Sequence, residues 1–308
     1  MPAEHAVEVR ATGPLTLLQD AGRPGFAHLG VTGSGAADQG AYRAANRLVG
    51  NTPGEAVLES VLGGVALRAR GALLVAVTGA SASVVVERGD GRAAVEHPMG
   101  CSFTLGDGDV VTVGMPTAGL RTMLAVRGGF AVPTTLGSRS SDVLSGLGPA
   151  PVRVGDVLTV GEHPGDWPEA TLLPAVVGRQ VASGRRGDER MLAVMPGPRA
   201  DLAGAAGWPR LLASAWTVSP SSNRVGVRLL SAPGSAAPLD TAPASTLPSE
   251  GMVVGAVQLP PNGEPVVFLR DHPVTGGYPV IAVLTAAAVD LAAQLRPGDV
   301  VLFAAVRG

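Results

Sequence analysis

The chain of 308 residues contains no lysine, because all 23 of its basic residues are arginine. This absence excludes a lysine Schiff base and the lysine of a phosphate-binding P-loop. Any phosphate that the protein binds must therefore be held by arginine, by backbone N–H groups or by a partner. Arginine suits this role, because its planar guanidinium group matches the oxygens of carboxylates and phosphates.

The chain also has little cysteine, no long apolar run and a small net charge. The single cysteine, Cys101, excludes an internal disulfide and a thiolate metal cluster, and we expect it in the core. The mildly apolar residues 71–86 are too short to span a membrane, and the N-terminal residues lack a signal core. The net charge of -2 gives no reason to expect nucleic acid or an anionic membrane as a partner. We therefore expect a cytoplasmic protein.

Aromatic residues make up only 3% of the chain, whereas it has 43 Gly and 26 Pro, so turns and Val-rich strands are favoured over long helices. Strand patterns follow one another from residue 56 to 126 without a helical segment, which predicts an antiparallel barrel or sandwich. One helix is expected to open near Ser34 or Asp38 and to stop at Gly50, and another to be capped by Thr285. The fold class predicted is mainly β with a few short helices.

Residues 160–187 are richer in proline, glycine and charge, as is typical of a domain boundary. We predict an N-terminal domain at 1–165, which includes a loop and helix at 19–51, and a C-terminal domain at 185–308. A short Gly-Asp-Val pattern begins at Gly108, Gly155 and Gly298. Each copy predicts a tight turn that leads into a strand.

The densest group of polar residues on an apolar frame lies between Ser249 and Ala282. Asn262 and Gly263 separate two Val-rich runs, which indicates a hairpin. With an even-length loop, Gln258 faces Val267, and Gln258 and Asp271 share one face with Val254, Ala256, Val267 and Leu269. An odd-length loop reverses this facing. A buried amide and carboxylate require partners or a polar ligand.

Three further features leave alternatives open. The segment Thr275, Gly276, Gly277 and Tyr278 allows close approach of backbone to a ligand, but an ordinary glycine-rich turn is the commoner explanation. Arg23 either meets an anion at the mouth of a site or pairs with Asp20 inside its loop. Glu59 lies in an apolar run and needs an arginine partner if it faces inward.

Five stretches, in unbroken order from about Leu15 to the C-terminus, together carry a family resemblance: LQDAGRPGFAHLGVTGSGAADQGAYRAANRLVGN, LGSRSSD, MPGP, SPSSNRVGVRL and SEGMVVGAVQLPPNGEPVVFLRDHPVTGGYP. They resemble the biotin-dependent carboxyltransferase family that includes the C-type subunit of bacterial 5-oxoprolinase, also called allophanate hydrolase subunit 2-like or KipA. The resemblance implies two cyclophilin-like β-barrel units. It also implies a cytoplasmic heteromer with a B-type and an A-type protein of the same enzyme complex.

The activity implied by the resemblance is the ATP-dependent opening of 5-oxo-L-proline to L-glutamate. In that scheme the chain is one subunit of a hydrolase complex and inactive alone, and ATP is shared with the partner subunit that helps to phosphorylate the lactam carbonyl. Biotin cannot be attached to this chain, because it has no lysine. Two alternatives remain, a urea carboxylase-like carboxyltransferase component and a non-catalytic KipA-like binding partner.

A planar lactam is a poor electrophile, so its site needs cations for phosphate and fixed groups for the substrate amide or carboxylate. On this residue chemistry we assign catalysis to Asp271, Arg224 and Gln258. Substrate and phosphate binding is assigned to Asp20, Arg23, Asn223, Glu250, Thr275, Gly276, Gly277 and Tyr278. We expect Arg224→Ala to lower turnover without unfolding the protein. Val225 and the residues His272, Pro273 and Val274 depart from the family pattern beside this site, so the substrate can differ.

Overall fold

The computed structural model describes residues 5–162, 167–168, 172, 185–186, 189–232, 238–239 and 247–306. Within these ranges the chain is mainly β with three short α-helices, which confirms the predicted fold class. It divides into two compact units. The first unit comprises Met1–Arg23, Ser34–Asp142 and Gly146–Val181, and the second comprises Pro24–Gly33, Val143–Ser145 and Ala182–Gly308.

The first unit is built from two antiparallel sheets. Its strands are β1 (Ala6–Thr12), β2 (Leu15–Gln19), β3 (Val57–Val61), β4 (Val65–Arg70), β5 (Leu73–Ser81), β6 (Val84–Glu87), β7 (Val95–His97), β8 (Ser102–Leu105), β9 (Val110–Val113), β10 (Ala118–Val126) and β11 (Val157–Thr159). The sheets run β11-β1-β4-β9-β6-β7 and β2-β3-β10-β5-β8. Side chains from both sheets, including Val9, Leu67, Val75 and Val126, meet in one core.

Helix α1 (Gln39–Leu48) covers the outer face of one of these sheets. It begins where predicted, because the side chain of Asp38 accepts the N–H of Ala41 at 2.8 Å and so satisfies a free helical donor. Its apolar residues Ala41, Ala45 and Leu48 pack on β5 and β10. Gly50, with a φ of +68°, ends it in the left-handed conformation that glycine favours.

The second unit is a closed barrel. Its strands are β12 (Arg185–Arg186), β13 (Glu189–Pro196), β14 (Trp216–Val218), β15 (Gly226–Ser231), β16 (Glu250–Gly251), β17 (Ala256–Gln258), β18 (Val266–Phe268), β19 (Thr275–Gly276), β20 (Val280–Leu284) and β21 (Val300–Ala305). The order β13-β20-β17-β18-β15-β14-β21 closes by a parallel β21–β13 pairing into a seven-stranded barrel. Two helices, α2 (Gly207–Ala213) and α3 (Ala286–Ala292), complete it. Among the described helices, none has the length and apolarity needed to cross a bilayer.

The Gly-Asp-Val pattern forms the predicted tight turn in all three places, before β9, β11 and β21. In each copy the aspartate side chain accepts the backbone N–H three residues earlier, at 2.8 Å for Asp109, 2.8 Å for Asp156 and 2.9 Å for Asp299. Burial raises the pKa of Asp109, but the N–H groups of Gly89 and Gly106 and the Arg88 guanidinium outweigh it and lower that pKa below its ordinary value. The charged form of Asp109 therefore stabilises its turn.

Candidate functional site

Arg224 and Asp271 meet in the second unit as a buried ion pair. Arg224 Nε lies 2.9 Å from Asp271 Oδ2, and Nη2 lies 3.2 Å from Oδ1. The two side chains are 2% and 0% exposed. Asp271 Oδ2 also accepts the N–H of Val143 at 3.1 Å, and the Asp271 N–H donates to the Arg224 carbonyl. The pair therefore joins the turn before β15 to the turn after β18, and solvent does not reach it.

The facing of Gln258 expected for an even-length loop is wrong, and the alternative of an odd-length loop is confirmed. Gln258 pairs with Val266 and Val257 pairs with Val267, so Val267 faces the barrel core while Gln258 lies on the opposite face, with Ala256. The connection, residues 259–265, has an odd length. Two consecutive prolines in it cannot donate to the ladder, and a turn closed by the Gly263 N–H to the Pro260 carbonyl at 2.9 Å replaces the expected tight hairpin.

Leu269 also faces the core, and Asp271 lies in a turn beyond β18 instead of on a strand. The shared apolar face predicted for Gln258 and Asp271 is therefore wrong as well. The physical cause of this difference is the odd length of the connection 259–265, because a shift of one residue in the strand pairing moves each side chain to the other face of the sheet.

Gln258 lies beside Gly276, Gly277 and Tyr278 at a partly exposed polar surface, and this surface is the opening beside Gln258. Its Nε2 donates to the Tyr278 carbonyl at 3.3 Å. A Cβ atom on Gly276 would come within 2.7 Å of that nitrogen, whereas Gly277 has open space on its Cβ side. Tyr278 is 40% exposed. The amide nitrogen is thus fixed by the backbone, and Gln258 Oε1 accepts no hydrogen bond within the described part of the chain.

Glu250 borders the same opening, because β16 pairs with β19 and places Glu250 opposite Gly276. Arg199 Nε binds both carboxylate oxygens of Glu250, at 2.9 and 3.2 Å, and the hydrogen bonds from Arg199 lower the pKa of Glu250. Arg199 follows the MPGP stretch, where a Cβ on Gly197 would lie 2.4 Å from the Val280 carbonyl oxygen. The sequence-based prediction missed Arg199, although its place directly after that stretch was the available signal.

Asp20 and Arg23 lie in the first unit and do not pair with each other among the described residues. The Asp20 carboxylate accepts hydrogen bonds from the hydroxyls of Ser138 and Ser140, both at 2.6 Å, and from the N–H of Gly22 at 2.8 Å. Arg23 is buried and donates to the carbonyls of Thr135 and Ser140. The alternative in which Arg23 pairs with Asp20 is therefore wrong, because the segment around the LGSRSSD stretch supplies partners to both residues instead.

The other predicted residues are held locally. Asn223 Oδ1 accepts the N–H groups of Val225 and Gly226, at 2.8 and 3.3 Å, and so shapes its own turn. Thr275 is exposed on β19. In the first unit Glu59 meets Arg121 at 3.4 Å and accepts the Ala37 N–H at 2.7 Å, which confirms the arginine partner expected for it.

Comparison with known proteins places this architecture in a family. The family described as carboxyltransferase domain, subdomain A and B, matches residues 29–305. The chain is 33% identical to the C-type subunit of the 5-oxoprolinase of Escherichia coli, over 96% of this chain and 90% of that protein.

Two solved structures have the same fold over the whole chain. TTHA0988 superposes with a TM-score of 0.81 at 32% identity and covers 99% of this chain, which spans only 56% of the TTHA0988 chain. The K. lactis urea amidolyase superposes with a TM-score of 0.85 at 28% identity over 100% of this chain and 19% of its own. The chain therefore belongs to the family of carboxyltransferase domains with subdomains A and B.

Proposed function

We propose that the chain is the C-type subunit of an ATP-dependent 5-oxoprolinase, which opens 5-oxo-L-proline to L-glutamate together with a B-type and an A-type partner. The observation that supports this best is the similarity to the C-type subunit of the E. coli enzyme, which spans 96% of this chain and 90% of that protein. A likeness over nearly the full length of both chains favours the same role in a complex. Because the proposed reaction needs partner subunits and ATP, we expect it to take place in the cytoplasm.

In this proposal the polar opening beside Gln258 holds the lactam. A lactam ring offers one N–H donor and one carbonyl acceptor beside its carboxylate. Gln258 Oε1 can accept the lactam N–H, and the Tyr278 hydroxyl and the backbone at Gly277 can bind the remaining oxygens. Because Gln258 Nε2 is fixed on the Tyr278 carbonyl, the direction in which Oε1 points is also fixed.

Arg224 and Asp271 are positioning residues in this scheme. Their guanidinium and carboxylate groups bind each other, so neither is available to a phosphate. Asp271 begins the segment that leads to Thr275 and the two glycines. The pair therefore orients the segment that carries the substrate contacts, while the charge that stabilises a phosphorylated intermediate comes from other groups.

Carboxyl transfer is the second candidate, because the K. lactis urea amidolyase superposes on the chain with a TM-score of 0.85. In that case the opening beside Gln258 receives a carboxylated biotin from another chain. The ureido group of biotin also has N–H donors and a carbonyl, so the same polar groups suit it.

The decisive experiment measures glutamate release from 5-oxoproline and ATP by this chain with its B-type and A-type partners, each omitted in turn. We expect release only from the full set. Gln258→Leu should abolish most of the activity while the complex still assembles, and Gln294→Leu serves as a matched control at a buried glutamine outside the opening. If a verified complete complex releases no glutamate but binds a biotinylated carrier, carboxyl transfer replaces this proposal.

A further inference from the structure

A cavity of about 600 Å³ lies in the first unit against helix α1. Its inner wall includes Tyr42, Asn46 and Asn51, whose polar groups already have partners. Tyr42 Oη and Asn46 Nδ2 both donate to the Glu55 carbonyl at 3.0 Å, and Asn51 Nδ2 donates to Asn46 Oδ1 at 2.7 Å. The wall is therefore rigid, and it offers shape and apolar contact more than free hydrogen-bonding groups.

Two arginines, Arg43 and Arg47, supply positive charge to the cavity. They are four residues apart on α1, so they project from the same side of the helix, and both are exposed. Neither guanidinium forms an ion pair or hydrogen bond with any residue that the structure describes. The helix dipole favours Arg47 in the last turn, but Arg43 lies a turn earlier and repels it. An anion bound between them would remove this repulsion.

Trp167 provides a flat apolar surface beside these charges. It lines the cavity and is 72% exposed. The Arg127 guanidinium lies 5.2 Å from the centre of its ring, and Arg127 Nη1 is fixed on the Val49 carbonyl at 3.0 Å. This cation–π contact orients the indole and leaves much of its surface open to a planar ligand.

The chemistry of the lining suits binding and not proton transfer. None of the described residues that line the cavity is an aspartate, a glutamate or a histidine. Burial raises the pKa of Tyr42, so its side chain stays a neutral phenol. A ligand that combines negative charge with a planar apolar body matches this set of groups, and a volume of about 600 Å³ lies within the usual range for small-molecule sites.

We propose that this cavity binds a nucleoside phosphate, with the phosphates between Arg43 and Arg47 and the base against Trp167. Paired guanidinium groups bind phosphate oxygens strongly, which a chain without lysine needs. The inference rests on the proposed function and deepens it, because it places ATP on this chain. It assigns the nucleotide to residues of the first unit and the lactam to residues of the second unit.

The test is titration of the full chain with ATP, followed by tryptophan fluorescence and calorimetry, with adenosine and inorganic phosphate as partial ligands. ATP should bind more tightly than either part. Arg43→Gln and Arg47→Gln should each weaken ATP binding about tenfold, since each removes a charge-assisted contact. Trp167→Leu should weaken binding of ATP but not of phosphate. Arg153→Gln, at an exposed arginine outside the cavity, is the matched control and should change nothing.

Failure of ATP to bind the chain, or unchanged binding by the Arg43→Gln/Arg47→Gln double variant, overturns the inference. The glutamate assay separates this from failure of the proposed function. In an active complex the double variant should raise KM for ATP without changing KM for 5-oxoproline, and an unchanged KM for ATP would again overturn the inference. If the complex is inactive but the chain binds ATP through these arginines, the oxoprolinase role fails while the nucleotide site stands.

Discussion

Breaking the Arg224–Asp271 pair should lower the free energy of unfolding of the second unit, by an amount that depends on how deeply the pair is buried. Arg224→Ala leaves the Asp271 carboxylate, which has no exposure, without its cation. Loss of one partner of a buried pair costs about 3–5 kcal/mol, whereas loss of an exposed pair costs about 1 kcal/mol or less. This prediction differs from the expectation that Arg224→Ala lowers turnover without unfolding the protein, because that expectation assumed an accessible side chain and Arg224 is buried.

Chemical denaturation followed by tryptophan fluorescence suits this test, because Trp216 is buried in the core of the same unit and Trp208 packs against that core. Arg228→Ala is the control, since Arg228 is exposed on β15, and its effect should stay within about 0.5 kcal/mol. The double change Arg224→Met/Asp271→Leu should recover most of the loss, because it removes both buried charges. A loss below about 1 kcal/mol for Arg224→Ala would show that water reaches the pair and would refute the reasoning.

Three further predictions use the same approach. Gly276→Ala should lower turnover by moving the Gln258 amide, which a Cβ would approach within 2.7 Å, whereas Gly277→Ala meets open space and should leave turnover unchanged in the glutamate assay. The lowered pKa of Asp109 stabilises the folded chain. This stabilisation is complete above the pKa of about 3.9 that Asp109 has in the unfolded chain, and it is lost as the pH falls through the lower pKa of the folded chain. In acid unfolding, Asp109→Asn should therefore lack this dependence of stability on pH. Glu59→Gln removes the negative charge beside the buried guanidinium of Arg121 and should cost about 3–5 kcal/mol in thermal unfolding, and a cost near zero would contradict the buried pairing.

Local features of the fold could be predicted from the sequence because nearby residues determine them. The start of α1 depends on Asp38 and an N–H three residues later, and its end depends on Gly50. The Gly-Asp-Val turns depend on one glycine and one aspartate side chain that reaches back three residues. Such contacts recur wherever the same few residues recur, so the pattern itself carries the prediction.

The partners of the site residues could not be predicted in the same way. The face on which Gln258 lies depends on the length of the connection between β17 and β18. Pro260 and Pro261 lengthen this connection, because they cannot donate hydrogen bonds between the two strands. Asp20 finds its partners in a loop whose serines are well over a hundred residues further along the chain. Sequence distance gives no sign of such contacts, although both stretches belong to the family motifs.

The distribution of charge in the second unit also bears on the proposed need for a complex. Two of the charged residues in its family motifs, Arg224 and Asp271, bind each other, and Glu250 is held by Arg199. The groups left open beside Gly277 are an amide oxygen and a phenol, which can orient a lactam but cannot neutralise a phosphate. Activation of the lactam carbonyl by phosphorylation requires cations at the transferred group. In the proposed function this unit orients the substrate, and we propose that cations from other groups stabilise the transferred phosphate, so its variants should be assayed in the reconstituted complex.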